Sequence, residues 1–252
     1  MTRTKTDFPP AEQLVFVTAV SRLDLLGRHL LRSPCIESGR CRLIAHFNAG
    51  SAAQAFNSAL DGIEAGADPT WLVWVHQDVF LPGDWDKNFL AALHAAQQKI
   101  PQLAVAGVYG MASGPVPALR AGHVLDRGTL LREPAALPCE VDSLDELLFA
   151  VRADTRLKLD PALGFDFYGT DLVLQAQARG FTAAALDVYC EHWSDTPMGT
   201  SIPAGMAQRI LRNGRAFEAK WSHRFPLETS CVALHAPGDV ERFIDTLQKQ
   251  PR

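Results

Sequence analysis

The chain lacks any pair of cysteines in CxxC spacing. Its five, Cys35, Cys41, Cys139, Cys190 and Cys231, are odd in number and widely scattered. That argues against a disulfide framework or a structural zinc site and leaves ordinary buried thiols. No GxGxxG, no P-loop and no GxSxG elbow occurs, which removes the usual dinucleotide, P-loop and α/β-hydrolase readings. Basic residues are too few and too dispersed to grip a phosphate backbone: 24 Lys and Arg stand against 28 Asp and Glu, for a net charge of −4. No apolar run approaches the ~20 residues that span a bilayer, and no apolar leader precedes a small-residue cleavage site. A cytoplasmic protein with no transmembrane segment and no nucleic-acid partner is therefore expected. There is no internal repeat.

What is there is apolar content of 47% over 252 residues, enough for one large α/β domain or two small ones, with one domain preferred. The chain is organised around Trp71-Leu72-Val73-Trp74-Val75-His76-Gln77-Asp78-Val79, an apolar run that ends abruptly in polar residues. A run apolar on both faces reads as a central strand covered by helices on both sides. By strand alternation His76 and Asp78 leave on one face and Gln77 on the other. Ligands bind at the carboxyl ends of strands in open α/β sheets, so a carboxylate and an imidazole there have a use: they can hold a divalent cation. An Asp past a strand also serves as a turn-former or helix cap, and a nearby His as a half-buried hydrogen-bonding residue.

The rest alternates strand and helix, as a parallel sheet of βαβ units requires. Residues 1–13 read as a loose lead-in, 14–19 as a strand, and Ser21 as the cap of a helix that Ser33-Pro34 stops. A second strand over 42–47 leads through Asn48-Ala49-Gly50-Ser51 into a helix that runs out at Gly66. After the central strand come a helix over 85–99 and a strand over 103–109. The Gly- and Pro-rich stretch 110–140 reads as a hairpin or mobile flap, a lid over a ligand. Residues 141–152 read as a turn into a strand. Thr170 then caps a helix whose first residue is Asp171 and whose stop is Gly180, and a strand over 181–188 ends in Tyr189-Cys190-Glu191-His192-Trp193-Ser194. A helix over 202–221 and a short terminal helix capped by Asp239 complete the reading.

This order of elements resembles the GT-A glycosyltransferases, in particular the small bacterial glycosyltransferase-like relatives of family 2. The resemblance runs from about residue 14 to 231. It rests on Asn48-Ala49-Gly50-Ser51 with Ala55-Phe56-Asn57, on Val75-His76-Gln77-Asp78-Val79, on Phe167-Tyr168-Gly169-Thr170-Asp171-Leu172 with Gly180, and on Cys190-Glu191-His192-Trp193-Ser194. Ala219-Lys220-Trp221 and Phe225-Pro226 also look like the end of that family. It implies a Rossmann-like, mostly parallel sheet flanked by helices. Residues 14–110 would form the nucleotide-sugar half and 111–230 the flap and acceptor half.

In such enzymes a DxD motif binds a divalent metal that neutralises the donor diphosphate. Asp78 matches its last acidic position, while His76 stands in place of the first Asp. His192 matches the distal histidine that completes the metal site. Mixed carboxylate and imidazole ligands suit Mn²⁺ better than Mg²⁺. Asp171 matches the catalytic base of inverting members, which takes the proton of the attacking acceptor hydroxyl. At a helix N-terminus it would also stabilise the fold through the macrodipole alone. The resemblance places Thr18, Ala19, Asn48, Asn57 and Gln77 on the nucleotide sugar, with Asn57 also read as a brace. Asp145, Glu146 and Tyr168 fall on the acceptor side, with an exposed turn and core packing as their bland alternatives. The implied partners are a nucleotide-sugar donor and a glycan, lipid-linked or protein acceptor. A non-catalytic nucleotide-sugar or glycan-binding module is the second reading. A nucleotidyltransferase is the third, disfavoured by the absence of a glycine-rich triphosphate loop.

Overall fold

The computed structural model of the protein describes residues 13–63, 70–195 and 202–249. Three parallel strands open it: β1 (Gln13–Val20), β2 (Arg42–Phe47) and β3 (Thr70–Val75). Helices α1 (Leu23–Arg28) and α2 (Pro34–Glu37) connect the first two, and α3 (Ala52–Asp61) follows the second. All six residues of β3 are buried, as the continuous apolar run requires of a strand packed on both faces. Then come β4 (Val79–Phe80), α4 (Trp85–Gln97), β5 (Leu103–Gly107), β6 (Tyr109–Ala112), β7 (Arg120–Asp126) and β8 (Thr129–Arg132). The chain continues with β9 (Cys139–Leu144), β10 (Leu148–Arg152), α5 (Tyr168–Ala178), β11 (Thr182–Ala185) and β12 (Cys190–His192). It closes with α6 (Ala204–Trp221), β13 (Leu227–Glu228), β14 (Ala233–Leu234) and α7 (Asp239–Lys249).

The result is a mixed α/β fold around one 12-stranded sheet of order β2-β1-β3-β10-β5-β11-β9-β6-β7-β12-β4, with β8 beside β7. In its first six places five strands point one way and β10 runs against them. From β9 onward neighbours pair antiparallel, except β7 with β12. The mostly parallel sheet expected from the βαβ rhythm therefore holds for the first half and gives way in the second. Side chains alternate across the first half as a half-and-half strand demands. Phe16, Trp71, Val73 and Val75 pack with Trp85, Phe89 and Leu93 of α4 on one face. Val15, Val17, Leu72 and Trp74 pack with Phe56 and Leu60 of α3 and Leu172 and Val173 of α5 on the other. A third cluster joins α6, α7 and the β13–β14 hairpin through Phe167, Leu174, Phe217, Trp221 and Val240.

Several local expectations change. Ser21 does not cap α1, which has no side-chain cap; its hydroxyl accepts from Gln77 instead. The strand expected over 103–109 is split at Val108. A Cβ on Gly110 would lie 2.1 Å from the Ser143 carbonyl oxygen, and this close approach lets the chain leave β10 and β11 for β9. The flap of 110–140 is indeed built on a hairpin, β7–β8, but it extends the sheet rather than standing over it as a lid. Residues 141–152 hold two strands with a turn between them, and the strand expected over 181–188 is confined to β11. Gly66 lies outside the described residues.

Helix α5 begins three residues before the expected first residue Asp171, at Tyr168, after Phe167 in left-handed conformation (φ 65°). It starts against the end of β9, where a Cβ on Gly169 would sit 2.6 Å from the Leu144 carbonyl oxygen. Because backbone rather than a flexible side chain blocks that position, Gly169→Ala should lower stability by about 2 kcal/mol. Urea denaturation of the two proteins measures this, and an unchanged midpoint would show that α5 is not seated as closely as described.

Candidate functional site

Strand β3 ends at Val75, and the His76 N–H is held by the Leu147 carbonyl (2.9 Å). The chain then turns tightly, with the Val79 N–H bonded to the His76 carbonyl at 3.2 Å, so that residues 76–78 form a turn and not a strand continuation. Strand β4 pairs antiparallel with β12, and His192 faces Val79 across that pair. The Trp193 N–H closes on the Asp78 carbonyl (2.9 Å). His76, Asp78 and His192 are thereby brought together, each with a ligand atom within 4.8 Å of the other two. It is a turn, and not alternation along a strand, that sets His76 and Asp78 side by side.

These three residues fit a divalent ion. His192 Nε2 lies 3.5 Å from Asp78 Oδ1, within the separation of about 3–4 Å that two ligands on one ion with ~2.1 Å bonds adopt. Each imidazole also has its second nitrogen taken by an outer partner. His192 Nδ1 is 2.8 Å from Asp126 Oδ1, and His76 Nε2 is 3.0 Å from the Tyr168 hydroxyl. Such partners fix tautomer and ring orientation, and they leave His192 Nε2 and His76 Nδ1 to face an ion. Asp126 is itself held by the Arg127 guanidinium (2.9 Å).

Burial alone would raise the Asp78 carboxyl, but the neighbouring imidazoles outweigh it and hold it at about 2. Burial would likewise lower His192, yet hydrogen bonds to Asp126 and Asp78 push it up to about 9. Burial wins at His76, which stays below the ordinary imidazole range despite Asp78. At neutral pH the group thus holds one neutral imidazole and one imidazolium pinned between two carboxylates. An ion entering there displaces the His192 proton.

Beside this group the turn between β9 and β10 carries Asp145 and Glu146. Asp145 accepts from the Leu147 N–H (3.0 Å) and the Ser230 hydroxyl (2.6 Å), and it contributes to the fields at both His76 and His192. The Glu146 carbonyl accepts from Trp74 Nε1 (3.0 Å), while its half-buried carboxylate meets the N–H groups of Tyr168 and Gly169 at the start of α5. Burial, together with Asp145 and Asp166, raises that carboxyl well above the usual range.

Other expected site residues are placed differently. Asp171 is fully buried, with Trp221 Nε1 and Lys220 Nζ on Oδ1 (2.6 and 2.7 Å) and Gln175 Nε2 on Oδ2 (2.6 Å). It ties α5 to α6 and presents no free oxygen to an acceptor hydroxyl. Tyr168 is only 1% exposed, so it supports His76 from behind and offers no face to a sugar. Gln77 spends its carboxamide on the Ser21 and Arg22 N–H groups and the Ser21 hydroxyl, which locks the loop after β1 to the end of β3. Asn57 braces the Leu159 backbone with both amide atoms (2.9 Å each). Thr18 is buried with its hydroxyl unpartnered, Ala19 is half-buried, and Asn48 is exposed at a left-handed turn (φ 54°). Asp126 was not foreseen. Nothing local marks it, because the β7–β12 register alone sets it opposite His192.

No protein-family model matches the chain. A Fuscovulum blasticum protein described as ATP synthase subunits region ORF 6 is 33% identical over 132 residues, covering 49% of this chain and 51% of that protein. The chain thus spans about half the length of the curated relative it matches. Among solved structures, A197 from STIV is 17% identical over 73% of this chain and 86% of its own, with a TM-score of 0.44. HddC from Yersinia pseudotuberculosis is 12% identical over 71% and 72%, with a TM-score of 0.33. The inositol-1-phosphate CTP transferase from T. maritima is 11% identical over 80% and 76%, with a TM-score of 0.32. At these scores the likenesses carry no functional weight. Among the described residues no helix is long and apolar enough to cross a membrane.

Because the folded state raises His192 from 6.5 to about 9, its contribution to stability is complete below about pH 6.5 and is lost as pH rises through about 9. The metal-free protein should therefore lose up to about 3 kcal/mol between about pH 6 and about pH 10. His192→Gln should flatten that slope. Denaturant titrations across the range in the presence of a chelator test it, and an equal slope in both proteins would remove the imidazolium from the site.

Proposed function

We propose that the protein is an inverting, metal-dependent glycosyltransferase of GT-A type, acting on a nucleotide-diphosphate sugar and an acceptor hydroxyl. The observation that carries the reading is the convergence of His76, Asp78 and His192 at the carboxyl end of β3, within the parallel part of the sheet. His76, Asp78 and His192 would hold the ion, for which Mn²⁺ suits the mixed ligands. A bound divalent ion there would neutralise charge on the departing nucleoside diphosphate. The acceptor oxygen forms a bond to the anomeric carbon as the bond from that carbon to the diphosphate oxygen breaks. The hydroxyl proton goes to a carboxylate.

Glu146 is the residue we assign to that proton, in place of the sealed Asp171. Its half-buried carboxyl sits next in the turn to Asp145, whose charge acts on both His76 and His192, and burial raises its proton affinity in the direction a general base needs. The sealing of Asp171 and the histidine in the DxD position are what favour the second reading, a nucleotide-sugar or glycan-binding module without turnover.

Thermal unfolding against UDP-, GDP-, CMP- and dTDP-sugars, with and without Mn²⁺, tests the donor site. A nucleotide sugar at ~100 times its Kd should stabilise the fold by about 2.7 kcal/mol, and Asp78→Ala should abolish the shift. Silence across the whole panel would count against both the transferase and the nucleotide-sugar-binding readings. Glu146→Gln separates the two, because a transferase should lose about 10²–10⁴ in kcat while keeping donor affinity. A binding module has no turnover to lose. Asp171→Asn should instead cost about 2 kcal/mol of stability, because the charge-assisted bonds from Trp221 and Lys220 are weakened while Lys220 keeps Asp160, and leave the turnover of the folded fraction largely intact.

A further inference from the structure

A cavity of about 220 Å³ lies between β6–β7 and the β13–β14 hairpin, lined among others by Met111, Ala118, Arg120, Glu228, Cys231 and Val232. It adjoins the acidic turn. Ser230, between two residues of its wall, donates its hydroxyl to Asp145 (2.6 Å), and the Cys231 Sγ lies 3.8 Å from that same hydroxyl. The cavity is smaller than the ~300–1,000 Å³ of sites for drug-sized ligands, so it has room for one sugar ring and not for a nucleotide sugar.

The polar groups on its wall are specific in what they leave free. Arg120 sends Nη1 to the Ser230 carbonyl (3.0 Å) and to the Tyr109 hydroxyl (3.5 Å), whose own proton goes to Glu133. Glu228 spends Oε2 on the Ala118 N–H (2.8 Å) and keeps Oε1. The Thr229 hydroxyl is consumed by its own turn, accepting from the Cys231 and Val232 N–H groups and donating to the Val232 carbonyl. A cationic donor and an anionic acceptor therefore stand over an apolar floor of Met111, Ala118 and Val232. An anionic ligand would face Glu228, and an apolar one would desolvate two charges without compensation. A ring of hydroxyls satisfies both, accepting from Arg120, donating to Glu228 and laying its C–H face on the apolar residues.

From this juxtaposition we infer that the cavity binds a neutral sugar and is the acceptor pocket of the transferase proposed above, on which the acceptor part of the inference rests. The substrate class is then a glycan acceptor recognised through its hydroxyls, set next to Glu146.

Cys231 supplies the test. It is exposed, whereas Cys35, Cys41 and Cys190 are buried, so its alkylation by iodoacetamide, read by peptide mass spectrometry, reports on the cavity. The probes are glucose, galactose, mannose and N-acetylglucosamine, with glucuronate as the anionic control. A neutral sugar at about ten times its Kd should slow alkylation roughly tenfold, the factor 1 + [L]/Kd. Arg120→Ala and Glu228→Gln should each remove that protection. No protection by any neutral sugar, protection by glucuronate alone, or protection that survives both variants would overturn the inference. The nucleotide-sugar thermal shift is measured on the same samples. A shift without Cys231 protection sinks the sugar pocket and spares the transferase, and protection without a shift leaves a sugar site but overturns its assignment to the acceptor.

Discussion

The Tyr168 hydroxyl joins the parts of the molecule on which the candidate site depends. Trp74 Nε1, inside the central strand, lies 3.1 Å from it; His76 Nε2, just past that strand, lies 3.0 Å from it; and the Glu146 carbonyl lies 3.4 Å from it. One phenol on the first turn of α5 thus fixes the end of β3, the ring plane of His76 and the acidic turn together. Burial keeps that phenol protonated, so it can accept from Trp74 and from the His76 N–H while its own proton points to Glu146. In this arrangement the lone pair on His76 Nδ1 remains for an ion. The reversed arrangement, with Tyr168 donating to His76, would place the ring proton on Nδ1 and spoil the ligand.

The two imidazoles are prepared in opposite ways. His76 has only a neutral hydrogen-bonding partner behind it and is held neutral by burial. His192 has a carboxylate on each side, one of which is Asp126, itself restrained by Arg127. A proton and a divalent ion compete for the same space between Asp78 and His192, and the carboxylates that retain the proton also supply the negative field that attracts the ion. Asp126 decides how firmly the ring is aimed in either state. This makes a pair of residues on the β7–β8 turn, far from the central strand in sequence, part of the site's electrostatics.

The parts of this arrangement that were legible in the sequence are those written in local pattern. The six buried residues of β3, the polar break at residues 76–78, the helix after Ser51 and a hairpin within 110–140 follow from apolar runs, caps and turn residues. The pairing of His192 with Asp78 comes from family resemblance, and the β4–β12 pairing brings the two side by side. What escaped was set by contacts between distant residues. Asp126 needs the register of β7 with β12, Gln77 turns back to residues 55 and 56 positions away, and Asp171 meets α6 about 50 residues later. No periodicity or spacing encodes such partners.

The start of α5 shows how one small boundary error moves a chemical role. Reading Thr170 as the cap puts Asp171 on the first helical residue, where free N–H groups and the dipole would welcome a carboxylate facing the cleft. The helix begins instead at Tyr168, after the left-handed Phe167, so the Asp171 N–H is already bonded to the Phe167 carbonyl (2.9 Å). Asp171 is then one turn inside, and a fully buried carboxylate there requires neutralising partners, which Lys220, Trp221 and Gln175 provide. The same shift leaves the N–H groups of Tyr168 and Gly169 at the helix start without helical partners. Glu146 fills that vacancy from the neighbouring turn. The first turn of α5 therefore still receives a carboxylate, but it arrives from the 145–146 turn rather than from the helix itself.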